Sequence, residues 1–255
     1  MIHRTAVVDP SARMGQDVSV GPFTVIGPRV TVGDRCTLAA HVVLERNVKL
    51  GAGVKVGCGT VIGSDPQDLK YQGEETWVEV GDGTVVREYC TINRGTVATG
   101  KTTVGNRCFL MSYVHVAHDC VLGNDVIIAN GVQMAGHVTI EDRAIISGLV
   151  PIHQFVRIGT FAFVGGASRV NQDVPPYTKA VGNPIHLYGL NSVGLQRAGF
   201  APEVKVALKR AYRLLFNSDL TVTQGIARAR AELPNVPEIE HFLHFIEASH
   251  RGVLV

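Results

Sequence analysis

The 255-residue chain has no long apolar run, no CxxC pair and no marked excess of charge of either sign. Each absence excludes something. Without a run near the ~20 apolar residues that cross a bilayer, and without a basic-then-apolar leader, no membrane span is expected and a cytoplasmic protein is. A net charge of +2 and a pI near 8.3 are too mild to point to nucleic acid. The cysteines are five, an odd count with no export signal and no zinc-type spacing, which reads as reduced thiols. Cys36, Cys90, Cys108 and Cys120 take small inward positions and Cys58 a corner; Cys90 and Cys108, 18 residues apart, are expected to stack.

What is present is a hydrophobic content of 45% and 28 glycines, a composition suited to a turn-rich protein with a substantial core. The apolar residues keep an unusual period. From Val104 through Leu110, Val116, Leu122, Ile128, Met134, Ile140, Ile146, Ile152, Ile158 and Val164 to Val170, an aliphatic side chain returns at every sixth position. Four places after each comes a small or β-branched residue, from Cys108 to Val174. Six residues match neither a helical turn nor simple alternation. They match a parallel β-helix, whose short strands point in, out, in before a corner. The same register runs from Ile2 to Ile62, with glycine after many of the aliphatics (Gly15, Gly21, Gly27, Gly33, Gly51, Gly57, Gly63), as corners with unusual dihedrals would favour.

Three hexads close one triangular coil, so residues 18 apart stack and the sequence becomes a map. His118, His137 and His153 fall on hexads beginning at 116, 134 and 152 and share one edge. Gln154 lies in the His118 column, with Gly136 between them. Coils about 4.8 Å apart make this a strip of about 10 Å. It fits a small polar substrate, and equally three solvated corner histidines. On the outer face Phe109, Ile127, Ile145 and Phe163 form an apolar column that should not be left in water; it reads as a subunit interface or as packing against the C-terminal segment.

The repeat is interrupted twice. A polar excursion occupies 64–76, either a functional loop or a tolerated insertion, and a smaller one occupies 98–102. The coil is expected to end at Asp173-Val174-Pro175-Pro176. The expected organisation is a β-helix over 1–186 followed by an α-helical domain over 187–255. There Val204, Ala207, Leu208, Ala211, Leu214 and Leu215 make one apolar face. Thr221 with Gln224 reads as a capping box, and Pro237 opens a last helix reaching His250. His241 and His244 on that helix lack a third ligand and read as solvated.

Several segments together carry a resemblance: Gln67-Asp68-Leu69-Lys70-Tyr71, Thr91-Ile92-Asn93-Arg94-Gly95-Thr96, His115-Val116-Ala117-His118-Asp119-Cys120, Ala135-Gly136-His137-Val138, His153-Gln154-Phe155, Gln172-Asp173-Val174-Pro175-Pro176-Tyr177 and Arg251-Gly252. In this order, and over essentially the whole chain, they resemble the UDP-N-acetylglucosamine acyltransferases that begin lipid A synthesis in Gram-negative bacteria. The resemblance implies a left-handed β-helix, a homotrimer with active sites between subunits, and no metal or cofactor. The implied reaction moves a 3-hydroxyacyl group from acyl carrier protein to the 3-hydroxyl of UDP-N-acetylglucosamine. His118 is the implied general base, Asp119 its orienting partner, and the Gly136 N–H a donor to the oxyanion. His115, His137, His153 and Gln154 match substrate contacts, as do Asp68 and Lys70 in the first excursion. Asn191 and Arg197 match positions that hold the uridine diphosphate, and Gly166 the position that limits the acyl chain. Asn93 and Ala198 depart from the pattern, where histidine and a second arginine are familiar.

Three other readings stay in view. A related N-acyltransferase carries an N-terminal uridine-binding domain that this chain, coiling from residue 2, does not match. A γ-type carbonic anhydrase binds metal through histidines on the same fold, but the spacings here, His115 to His118 and His118 to His137, fit it poorly. A non-catalytic scaffold would release no thiol from acyl carrier protein.

Overall fold

The computed structural model describes residues 1–255. Short parallel strands wind into the β-helix expected from the six-residue period, with the left hand that the resemblance implies. The first and second faces each carry eight parallel strands; the third carries ten. Register follows the 18-residue rule through the heart of the coil: Val116 pairs with Met134, and Met134 with Ile152. One core of 45 buried residues runs up the axis. At roughly 1.5–3 kcal/mol for each fully buried Val, Leu or Ile, that column is what holds the stack together.

Corners turn where the chain enters the left-handed region. At most corners the residue three places after the inward aliphatic has positive φ, whatever its type: Asp17, Phe23, Arg29, Arg35 and His41 among many. This corrects the role expected for the glycines that directly follow the aliphatics. Of those seven only Gly63 has positive φ. The others are required because the next coil lies against them: a Cβ on Gly15 would sit 2.7 Å from the Asp34 nitrogen, and one on Gly27 would strike the Glu45 carbonyl. Close approach, not conformational freedom, selects glycine there.

The excursions also change the register. Val61 pairs with Thr91 and Thr91 with His115, so those coils are 30 and 24 residues long. Cys90 and Cys108 therefore sit on different faces and do not stack, against the expectation from their spacing. All five cysteines are free. Burial pushes the Cys90 thiol up to about 11 and the Cys120 thiol to about 12, which leaves both inert as nucleophiles.

The regular coil ends near Val174, as the two prolines imply, but the third face continues. Strand Thr178–Gly182 adds to it and strand Ile185–Leu190 returns antiparallel, spanning the expected 186/187 boundary. Four helices follow: α1 (Ser192–Arg197), α2 (Pro202–Phe216), α3 (Val222–Glu232) and α4 (Pro237–Glu247). The α2 face buries Ala207, Leu208, Ala211 and Leu215, and the Thr221–Gln224 capping box opens α3. Helix α4 ends three residues before His250, and His241 is not merely solvated. Its Nε2 lies 3.0 Å from Glu141 and its Nδ1 is 3.1 Å from the Tyr177 hydroxyl, tying α4 to the coil; His244 is exposed. No helix is long and apolar enough to cross a membrane.

Candidate active site

The edge between the first and second faces is built by strands His115–Val116, Gln133–Met134 and Pro151–Ile152. Their register places His118, Gly136 and Gln154 in one column, as the 18-residue rule requires. The next column holds Asp119, His137 and Phe155, all at positive φ. His137 stacks on Phe155 with ring centroids 4.6 Å apart and meets His118 edge-on at 5.2 Å. His153 and Gln154 are exposed at the top of the strip. His115 bonds Thr91 through Nδ1 at 2.7 Å, and burial, with His118 nearby, lowers its basicity.

Asp119 is the electrostatic centre of this edge. The residue is 3% exposed, and its carboxylate is ringed by donors. Oδ1 accepts from the Thr96 N–H at 2.9 Å and from the Thr99 hydroxyl; Oδ2 accepts from the Thr96 hydroxyl at 2.8 Å. Burial raises the Asp119 carboxyl, but the hydrogen bonds from Thr99, His118 and Thr96 outweigh it and hold the group below the usual carboxylate range. An ionised carboxylate only accepts, so the 2.8 Å contact between its Oδ2 and His118 Nδ1 fixes the proton on Nδ1. Nε2 of His118 is then left with its lone pair, the state a general base needs.

The ring lies over Gly136. A Cβ there would be 2.5 Å from His118 Cε1 and 2.8 Å from Nε2, so any side chain would displace the imidazole. The Gly136 N–H also finds no protein acceptor. A base with a free lone pair thus faces an unclaimed amide donor, an arrangement suited to proton removal at an attacking hydroxyl and to stabilising the anion that results. One atom each of His118, Asp119 and His137 lies within 4.8 Å of the others, close enough to share a cation. The hydrogen bonds already converging on Asp119 make it a poor ligand.

The other expected site residues fall into two groups. Asp68 and Lys70 lie on the first excursion, where the Asp68 carboxylate accepts from the Lys70 N–H at 3.0 Å. That loop is pinned by Arg94, whose side chain is fully buried and donates to the Gly63 carbonyl, Asp65 and, at 3.0 Å, the Tyr71 hydroxyl. Sequence reasoning placed Arg94 in a motif without giving it this task; a lone arginine after an inward strand position was the available signal. Asn93 is buried too, and its amide donates to the Asp65 carbonyl at 2.6 Å, so this departure holds the loop.

Asn191 and Arg197 stand elsewhere. They line a cavity of about 510 Å3 on the third face, where helix α1 covers part of the apolar column at Ile127, Ile145 and Phe163. Asn191 caps α1, accepting from the Gly194 N–H at 3.1 Å and donating to the Phe161 carbonyl at 2.9 Å. Ala198 borders the same cavity, and Lys179 and Arg143 supply cations beside it. Within one chain these residues and His118 belong to different sides of the prism. Gly166 is exposed on the third edge, without positive φ; a Cβ there would meet the Gly148 carbonyl at 3.4 Å and the Ser147 Cβ at 3.8 Å, ordinary contacts.

Comparison with known proteins supplies the wider context. A family model described as UDP N-acetylglucosamine O-acyltransferase, domain 2, matches residues 173–254, and one for bacterial transferase hexapeptides matches 11–46 and 101–136. The chain is 56% identical over 250 residues to the acyl-[acyl-carrier-protein]–UDP-N-acetylglucosamine O-acyltransferase of Alkalilimnicola ehrlichii, covering 98% of this chain and 97% of the relative. With the corresponding enzyme of Thermodesulfovibrio yellowstonii it shares 49% over 253 residues, 99% and 98% of the two chains. The crystal structure of the UDP-N-acetylglucosamine acyltransferase from Bacteroides fragilis superposes with a TM-score of 0.99 at 42% identity, over 100% of both chains. That from Francisella novicida gives 0.95 at 38%, over 100% of this chain and 94% of the other.

Proposed function

The chain belongs to the UDP-N-acetylglucosamine O-acyltransferase family, and from that membership we infer that it moves an acyl group from acyl carrier protein to UDP-N-acetylglucosamine, opening lipid A biosynthesis. The observation that carries the chemistry is the His118–Asp119 dyad over Gly136. His118 Nε2 takes the proton from the sugar 3-hydroxyl as its oxygen attacks the thioester carbonyl. The oxyanion draws on the Gly136 N–H. The C–S bond then breaks, and the proton on His118 passes to the departing thiolate. Asp119 keeps the imidazole in the required tautomer and steadies its charge, as an orienting carboxylate does in other base-activated hydroxyl attacks.

Substrate contacts follow in the same reading. His115, His137, His153 and Gln154 border the reacting groups, with Asp68 and Lys70 reaching in from the excursion loop. Asn191 and Arg197 hold the uridine diphosphate. Lys179, which no acidic side chain in the chain pairs with, offers a positive charge in the cavity that Ala198 no longer supplies. A 3-hydroxyacyl donor of about fourteen carbons fits a chain groove left open at Gly166: four methylenes beyond a ten-carbon donor contribute about 3 kcal/mol if kept in apolar contact. Because the cavity residues and His118 stand on different sides of one chain, a homotrimer that brings a second copy against the His118 edge completes the site. A cytoplasmic location belongs to this reading as well.

The test is His118→Ala, assayed for transfer from 3-hydroxyacyl carrier protein to UDP-N-acetylglucosamine. Loss of a general base typically costs ~10²–10⁴-fold. A folded variant that keeps more than a tenth of wild-type turnover removes His118 from this role.

A further inference from the structure

The second excursion, expected over 98–102, occupies 94–100 instead, because residues 101–104 already form a strand. It lies between strands Thr91–Asn93 and Lys101–Val104, and the hexad register gives it no packing task. It lengthens its coil to 24 residues and folds directly beneath Asp119. Three donors reach the carboxylate from it. Thr96 contributes two, its N–H at 2.9 Å to Oδ1 and its hydroxyl at 2.8 Å to Oδ2. Thr99 contributes the third; its hydroxyl is within reach of Asp119 Oδ1 and the Lys101 carbonyl, and the single proton favours the charged acceptor. From the strand that follows, the Thr102 hydroxyl accepts the Asp119 N–H at 2.9 Å. Thr96 is itself buried, and its hydroxyl accepts the Ala98 N–H at 3.2 Å, so the loop braces the group it presents.

We propose that Thr96 and Thr99 are positioning residues for the transfer reaction, holding the Asp119 carboxylate so that it keeps His118 turned with its free nitrogen toward Gly136. The inference rests on His118 acting as the general base. A carboxylate with one partner can rotate or take up a proton; one with both oxygens already engaged can do neither, and it presents a single lone-pair direction to the imidazole. The donors also offset burial. Without them, desolvation pushes the carboxyl up, and a protonated Asp119 no longer dictates which imidazole nitrogen carries hydrogen.

The experiment compares Thr96→Val, Thr99→Val and their double variant with Thr96→Ser and Thr99→Ser in the full-length protein. In the double valine variant kcat falls about 10- to 100-fold, short of the ~10⁴-fold reached when an orienting aspartate is itself replaced, while KM for both substrates holds. The acid limb of kcat/KM moves to higher pH, and the 15N signals of His118 shift from a single Nδ1–H tautomer to a mixture. The serine variants, which keep the hydroxyls, stay close to wild type in all three. Unchanged kcat, acid limb and 15N signals in a folded double variant overturn the proposal. Should the double variant fail to fold, Thr99→Val, at an exposed position, decides the question through its own acid limb and 15N signals. His118→Ala is run alongside. If it remains active, the general-base reading fails; if it is inactive while the threonine variants match wild type, only the positioning role fails.

Discussion

Two edges of the same prism use the same corner in opposite ways. Between the second and third faces, the residues two places after Val80, Val104, Leu122 and Ile140 each carry a side-chain oxygen that caps the amide one coil below: Asp82 on Ala52 at 2.7 Å, Asn106 on Asp82 at 2.8 Å, Asn124 on Asn106 at 2.9 Å, Asp142 on Asn124 at 2.7 Å. Between the first and second faces the equivalent column reads His118, Gly136, Gln154, and the Gly136 amide has no such cap. The ladder satisfies its backbone and is inert. The other edge leaves a donor open under a histidine, and reactivity arises where the repeat declines to close its own hydrogen bonds. A regular fold hosts chemistry through a local omission, not a change of architecture.

The strongest way to break the contrast is to make the reactive edge resemble the ladder. Gly136→Asn puts an amide side chain where the imidazole now lies, displacing His118. Steady-state turnover should fall by the ~10²–10⁴-fold associated with losing a general base, with the circular dichroism of the coil retained. A variant of normal turnover would mean that the reaction does not need the His118 ring over Gly136.

The third edge sharpens the comparison. It too carries uncapped glycines, Gly148 and Gly166, but no base beside them. Gly166→Met should shift donor preference toward shorter chains by filling the groove, at about 0.8 kcal/mol for each methylene excluded. Because Gly166 lacks positive φ and a Cβ meets only ordinary contacts, the melting temperature should change little. An unaltered chain-length profile in a stable protein would move the limit on acyl length to another residue.

The smallest effect belongs to the ladder. Asn124→Ala strips the cap from the Asn106 amide and should cost about 1 kcal/mol, read as a lowered denaturation midpoint with transfer activity unchanged. A large loss of activity would show that the inert edge is coupled to the reactive one.

Much of this was legible in the chain. The six-residue period fixed the coil, and the 18-residue stacking rule put Gly136 between His118 and Gln154. The Thr221–Gln224 box and the α2 face were equally readable, because caps and amphipathic stripes are local. The rule failed where residues were inserted: Cys90 and Cys108 keep their spacing in sequence but lose it in space, since the excursion adds a detour that counting does not see. His241, read as solvated, found Glu141 and Tyr177 because an isolated helix gives no hint of what it docks against.

Sequence alone determined the repeat, the edges and the identity of each column, since those depend on chemistry recurring at fixed intervals along the chain. Tertiary structure decided what fills the space between columns. Only there does a glycine prove to be a place where the next coil presses close, and a buried arginine the pin of a loop. Only there does a short polar excursion become three donors around a carboxylate. These contacts join residues whose separation no period encodes, so they exist once the coils are stacked and not before.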